Sequence, residues 1–276
     1  MNNQFFVVFG APDFEEQKAR EICKNLNIPT ATATFHENPC TAGNASKANG
    51  FVLDEGCVIP LNPKLILFEC GESASVGFDV VIICDHHKPN DPGFGFPPER
   101  FWEGSSIGQL CNFLQVEPTP ELLLVAAADH CPAAAYRGLC PGIDPVEFSK
   151  FRLGRKIEFF QTQPEKFPNK QTFADLVNTI HEAQQQLKQA PQIEGFKDVR
   201  ALGYVDELLE AAFGLGVAYI SETQDRKTGE KKIVCGGHTT PEMIQIFQTW
   251  ASSLDGVSHI YGDPVRGFAG AVFEKA

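Results

Sequence analysis

Four short runs of apolar and β-branched residues punctuate the first 84 residues: Gln4–Phe9 (QFFVVF), Thr30–Phe35 (TATATF), Leu65–Phe68 (LILF) and Val80–Cys84 (VVIIC). Each has strand length, and helix-length stretches separate them. After the first run the chain breaks at Gly10-Ala11-Pro12, and Asp13 to Asn25 has helical character. Strands buried on both faces read as continuous apolar runs, so the pattern predicts an α/β fold: a mostly parallel sheet with helices on both faces. Ligands of such sheets bind beyond the carboxyl ends of the strands.

Polar groups cluster where those strands should end: Asp13 and Glu15, then His36, then Glu69, then Asp85-His86-His87. A further apolar stretch, ELLLVAAADH, ends on Asp129 and His130 and reads as either a strand or a helix. Three adjacent ionisable groups at a strand end cost desolvation unless something binds them. Carboxylates and imidazoles together suit manganese, magnesium or zinc, and a set of several acids supplies the carboxylate bridge that paired metals need.

With 276 residues, 43% of them hydrophobic, the chain can bury a sizeable core. Its formal net charge of −12 and pI near 5.0 disfavour long nucleic acids and anionic membranes as partners. The nine cysteines are odd in number, several sit in apolar segments, and no CxxC pair or signal peptide accompanies them. Reduced thiols and a cytoplasmic location are therefore expected. No apolar run is long enough to predict a membrane span.

From about Pro164 to Glu194 the composition turns polar, as in a connecting helix and linker. Beyond it the pattern predicts a helix over Val205–Phe213, a strand over Val217–Ser221, a turn at Lys227–Glu230 and a strand over Lys231–Cys235. A helix over Pro241–Leu254 and two short strands around Ile260 and Ala271 follow. The expected division is thus residues 1–188, then a second, smaller α/β domain over 195–276.

Read in order, Phe9-Gly10-Ala11-Pro12-Asp13-Phe14-Glu15, Phe68-Glu69-Cys70, Asp85-His86-His87, Glu103-Gly104-Ser105-Ser106 and Asp129-His130 resemble the motifs of the DHH phosphoesterases. That resemblance implies that Asp13, Glu15, Glu69, His86 and Asp129 are metal ligands, that Asp85 orients a histidine, and that His87 meets substrate phosphate. Glu15 and Glu69 stand where aspartates are usual, and Phe9 stands where the first motif has a histidine. One metal position then keeps Glu15, Glu69, His86 and Asp129, whereas the other keeps Asp13 and the shared Glu69. His36 or His130 is a candidate for the missing nitrogen.

Ser105 and Ser106 open a predicted helix whose amides can hold an anion or simply be capped. Arg137 can reach a phosphate or carboxylate. The loop Tyr261–Ala271, with Arg266-Gly267, resembles the glycine-rich substrate loop of the family's C-terminal domain, although Val265 replaces the loop histidine; separately, Cys235-Gly236-Gly237-His238 lies between a predicted strand and a helix, where glycines let backbone amides approach an anion, or form a plain turn. The resemblance implies hydrolysis of a small phosphorylated, nucleotide-like substrate in a crevice between the domains, with one or two Mn2+ or Mg2+ ions. Homodimerisation stays open. The alternative is a repurposed member that binds a metabolite or partner without turnover.

Overall fold

The computed structural model describes residues 4–274 except 11, 42, 76, 204 and 225–228, and leaves the side chain of Val81 undescribed. Half of the turn expected at Lys227–Glu230 thus lies outside the described residues. The chain forms two compact units, Met1–His130 and Cys131–Ala276.

The first unit runs β1 (Phe5–Phe9), α1 (Phe14–Asn25), β2 (Thr30–Phe35), β3 (Asn38–Pro39), β4 (Gly50–Leu53), β5 (Lys64–Phe68), β6 (Val80–Cys84), α2 (Phe101–Gly104), α3 (Ser106–Leu114) and α4 (Pro120–His130). Its strand order is β3-β2-β1-β5-β6, with β4 also on β2. The four runs expected as strands pair in parallel, but β3 and β4 pair antiparallel to β2. The sheet is therefore mixed, not mostly parallel. His36 and Glu37 cause part of the reversal: both take positive φ, 52° and 66°, and as a two-residue connection they turn the chain back on itself.

Alternation along β1 separates two cores. Val7 and Phe9 join Ile66, Phe68 and Cys84 on the face covered by Ala19 and Cys23 of α1 and Leu110 and Leu114 of α3. Phe6 and Val8 join Ala31, Ala33, Leu65 and Leu67 on the other face, which Cys40, Ala45, Ala48, Cys70 and Ala74 close from loops and 3-10 turns. Helices were expected on both faces; among the described residues, this second core contains no α-helical residue.

The second unit runs α5 (Pro132–Tyr136), α6 (Pro145–Gln161), α7 (Phe173–Gln189), β7 (Gln192–Ile193), β8 (Phe196–Asp198), α8 (Leu208–Leu215), β9 (Ala218–Gln224), β10 (Lys231–Gly237), α9 (Pro241–Ser252), β11 (Val257–Asp263) and β12 (Phe268–Phe273). Its sheet has the order β11-β12-β10-β9-β8-β7, and among the described residues only β8 and β9 pair in parallel. Ile244, Phe247 and Ala251 of α9 pack with Phe196, Ile220 and Ile233. Ala183 and Leu187 of α7 pack with Ala211 and Ala212 of α8 and Tyr219 of β9.

The boundary at 130/131 lies well before the expected 188/195, so the second unit is not the smaller one. Buried charge pairing explains the shift. Arg152 of α6 donates to Glu210 of α8 at 2.8 Å, and Lys156 donates to Glu207 at 2.7 Å. Within the stretch expected as a connecting helix and linker, about 164–194, α7 packs on α8 and β9 of this unit.

Candidate metal centre

The carboxyl ends of β1, β5 and β6 each deliver an acid or imidazole, and the end of α4 delivers two more. Asp13 caps α1, its Oδ1 accepting the Glu16 N–H at 2.8 Å. Two residues later, in the first turn, Glu15 is 1% exposed, and its Oε1 accepts the Ile107 N–H at 2.9 Å. The amide at the start of α3 therefore binds a carboxylate of this chain, where the sequence suggested an outside anion.

Ser105 is the cap of α3: its Oγ accepts the Gly108 N–H at 3.1 Å and donates to the Trp102 carbonyl at 3.0 Å. Ser106 donates its hydroxyl to Glu69 Oε1 at 2.9 Å. Both serines are fully buried, so neither side chain presents itself to a substrate as expected.

Glu69 leaves β5 with φ of 51°, and its N–H donates to the Cys84 carbonyl at 2.9 Å, which ties the ends of β5 and β6 together. Gly10 makes room for this turn. A Cβ there would lie 2.0 Å from the Glu69 carbonyl oxygen.

Asp85 organises the histidine pair. Its Oδ1 accepts the N–H groups of His86 at 2.7 Å and His87 at 3.2 Å, and lies 2.7 Å from His87 Nδ1. Gln109 holds the same residue from the other side, accepting the Asp85 N–H and donating to the Asp85 carbonyl, both at 3.2 Å. The two adjacent rings then differ in environment: His86 is fully buried and the side chain of His87 is half exposed. His86 Nε2 lies 2.9 Å from Asp129 Oδ2 and 3.9 Å from Glu69 Oε1.

Ligand atoms of Glu15, Glu69 and Asp129 lie within 4.8 Å of one another, as do those of Glu69, His86 and His87. Glu69 belongs to both groups. Asp13 belongs to neither, though it feels their charge. Burial, then the Asp129 charge, raises its carboxyl to about 6. Glu69 is pushed up to about 8 by burial and then by Asp129 and Asp13, and Glu15 goes well above the usual range through burial, Asp129 and Glu69. His87 moves the opposite way from a buried imidazole. Burial draws it down, but the Asp85 hydrogen bond and the charges of Glu69, Asp85 and Asp129 outweigh that and raise it to about 9.

A divalent cation fits this set on the structure's own terms. Glu15 Oε2 and Glu69 Oε2 are buried with no N–H donor, the two carboxyl groups meeting only each other, a costly state for two carboxylates. Oxygen-rich surroundings with imidazole nitrogen match the preferences of hard and borderline cations. The buried acid and histidine groups can hold a metal ion.

Neither proposed substitute nitrogen joins the acids. His36 is exposed on the β2–β3 connection, where it lines a surface pocket with Thr34, Asn49 and Phe51. His130 Nδ1 faces His86 Nδ1 at 3.3 Å. Phe9 is buried against Phe68 at 5.2 Å, with the Arg20 guanidinium over its ring.

In the second unit, several candidate substrate-binding residues meet around Thr239, which is 1% exposed and which the sequence did not single out. Arg137 donates to the Thr239 carbonyl at 3.1 Å, and the Thr239 hydroxyl donates to the Gly267 carbonyl at 2.6 Å. Gly236 and Gly237 end β10, and Gly237 has φ of 83°. His238 is half-buried with Nδ1 3.2 Å from the Gly216 carbonyl, and Arg266 is buried over the Phe268 ring. The signal for Thr239 was present in Gly-Gly-His-Thr-Thr-Pro, but its neighbour Thr240, which caps α9, accounts for a threonine there equally well.

Comparison of the chain with protein-family models, with characterised proteins and with solved structures returned no match. Among the described residues, no helix is long and apolar enough to cross a membrane.

Proposed function

We propose that the protein is a metal-dependent phosphoesterase or phosphohydrolase of the DHH type, acting on a small nucleotide-like substrate. One observation carries the proposal: Glu15 and Glu69 are buried with their carboxyl groups against each other, and Oε2 of each has no N–H donor, beside His86 and Asp129. Motif order supports it. Glu15, Glu69, His86 and Asp129 would hold the ion, Mn2+ or Mg2+, with Asp13 adding charge nearby. When bound, such an ion lowers the pKa of a water ligand and neutralises charge on phosphorus oxygens.

The chain's own groups supply the rest. Asp85 holds His87 through Nδ1, which leaves Nε2 to meet a phosphoryl oxygen, and the Asp85 hydrogen bond favours the protonated ring that would donate there. Ser106 and the Ile107 amide keep Glu69 and Glu15 turned toward each other. Within the second unit, Arg137, Gly236, Gly237, His238, Arg266 and Gly267 stay proposed ligand contacts, and within the first Ser105 is a helix cap. The net charge of −12 favours a small substrate over long nucleic acid. Nine unbridged thiols favour a reducing, cytoplasmic setting.

A second reading, binding of a metabolite without turnover, draws support from Phe9. An aromatic ring buried in the core there offers a second ion no nitrogen ligand. A hydrolysis panel of a linear dinucleotide, a nucleoside 3′,5′-bisphosphate and pyrophosphate, assayed with Mn2+, separates the two. Metal-dependent release of phosphate or mononucleotide supports the hydrolase; Mn2+ binding without turnover of any member favours the binding protein.

A further inference from the structure

Helix α5 turns the chain so that two thiols meet. Cys131 is its N-cap residue, and Pro132 follows at the first helical position, where the missing N–H has no helical acceptor anyway. After five residues the helix closes on a glycine. Gly138 takes φ of 70°, its N–H donates to the Ala135 carbonyl at 3.1 Å, and the Leu139 N–H donates to the Ala134 carbonyl at 3.0 Å. These two bonds around a left-handed glycine form a Schellman turn, which sends the chain back toward the start of the helix. Cys140 follows directly, and its Sγ lies 3.2 Å from that of Cys131, nine positions earlier. Both residues belong to the second unit, and both are buried with free thiols.

We propose that Cys131 and Cys140 are a modification site, a thiol pair that hydrogen peroxide converts into a disulfide. The sulfurs, 3.2 Å apart, need to close by roughly 1.1 Å to reach the ~2.05 Å of the bond. Cys140 is the entry point: it is 2% exposed but sits between exposed Leu139 and Pro141, whereas Cys131 is 0% exposed. The Cys140 sulfur attacks one peroxide oxygen; an S–O bond forms, the O–O bond breaks, and the thiol proton leaves with the released hydroxide as water. The Cys131 sulfur then attacks the Cys140 sulfur; the S–S bond forms, the S–O bond breaks, and the second thiol proton leaves in a second water. The two thiols lose two electrons in all, and the peroxide gains them. Because the facing thiol makes the second step intramolecular, it outruns further oxidation of the sulfenic acid. In a reducing setting the bond is transient, since small thiols reopen it by exchange. The bond spans Arg137, which donates to the Thr239 carbonyl, so oxidation stiffens the loop that carries this side chain. Nothing in the inference depends on the metal site.

The test treats the full chain with a small excess of hydrogen peroxide, alkylates the remaining thiols under denaturing conditions, and maps tryptic peptides by mass before and after reduction. Trypsin cuts after Arg137, so a Cys131–Cys140 bond joins two separate peptides, and fragmentation tells Cys131 from Cys111 in the first of them. This link should form before any other pair among the nine cysteines, lower the mass by two hydrogens, and vanish with dithiothreitol. Cys131→Ser should stop at a Cys140 sulfenic acid that dimedone traps, and Cys140→Ser should leave Cys131 unlabelled. Both thiols still open to alkylation after peroxide, conversion of either to sulfinic acid without the link, or earlier linkage of another pair overturns the proposal. So does a link that forms as readily in urea-unfolded protein, because the fold then does not set up the pair. Should a serine variant fail to fold, the wild-type map carries the decision.

Discussion

Ser106 donates its hydroxyl to Glu69 Oε1 at 2.9 Å, both side chains being buried. Replacement by alanine leaves that buried oxygen without its donor. Ser106→Ala should cost about 1–3 kcal/mol of stability, the usual range for an orphaned buried group. Thermal unfolding checks this, at about 2–4 °C per kcal/mol. Unchanged melting would mean that the hydroxyl does not support Glu69.

Gly10 tests the same turn from the opposite side. Any Cβ at this position meets the Glu69 carbonyl at 2.0 Å, and that carbonyl belongs to backbone already held at φ of 51°. Gly10→Ala should therefore destabilise at the upper end of the ordinary ~0.5–3 kcal/mol range and weaken metal binding without touching a ligand. A variant that matches wild type in denaturant midpoint and Mn2+ affinity would contradict this packing.

Stability of the metal-free protein should fall as pH rises from 5 to 8.5. Asp13 and Glu69 have native values raised to about 6 and about 8, so over this window the native state holds more protons than the unfolded chain. Stability tied to such groups is present below their ordinary values and lost as pH passes the raised ones. His87, raised to about 9, acts in the same direction. Calorimetry across this range gives the slope, and Mn2+ should stabilise more at pH 8.5 than at pH 5 because protons compete for the same oxygens. A flat profile without metal would contradict the assigned burial.

The adjacent histidines should part company on mutation. His86→Ala removes a buried nitrogen facing Asp129 and Glu69, so Mn2+ binding and any turnover should be lost together. His87→Ala removes a half-exposed cation held by Asp85, so metal should remain while turnover falls about 10²-fold or more. Equal retention of activity in both variants would rule out these roles.

The strands were legible where an apolar run ended in a polar group: β2 and β6 have the limits that TATATF and VVIIC suggest. The β2–β3 hairpin was not legible, because His36 and Glu37 adopt positive φ without the glycine or asparagine that normally advertises such a turn. Helix α6 had a start signal, Asp144 capping before Pro145, that the surrounding polar composition obscured. In the site, the acids and imidazoles could be named from strand ends. Their supports could not, since Gln109 and the Ile107 amide reach them through folding, and no local pattern marks a backbone group as a partner.

Metal binding at equilibrium tests the central claim most directly. Chelator-treated protein at pH 8 is titrated with Mn2+, the free ion is followed by electron paramagnetic resonance, and the bound ion is counted by elemental analysis. Glu69→Gln serves as the control because it keeps the shape of the side chain shared by both ligand groups. The account predicts at least one Mn2+ per wild-type chain and a marked loss of affinity in Glu69→Gln with the fold retained. Wild type that binds no ion, or Glu69→Gln that binds as tightly as wild type, would contradict it.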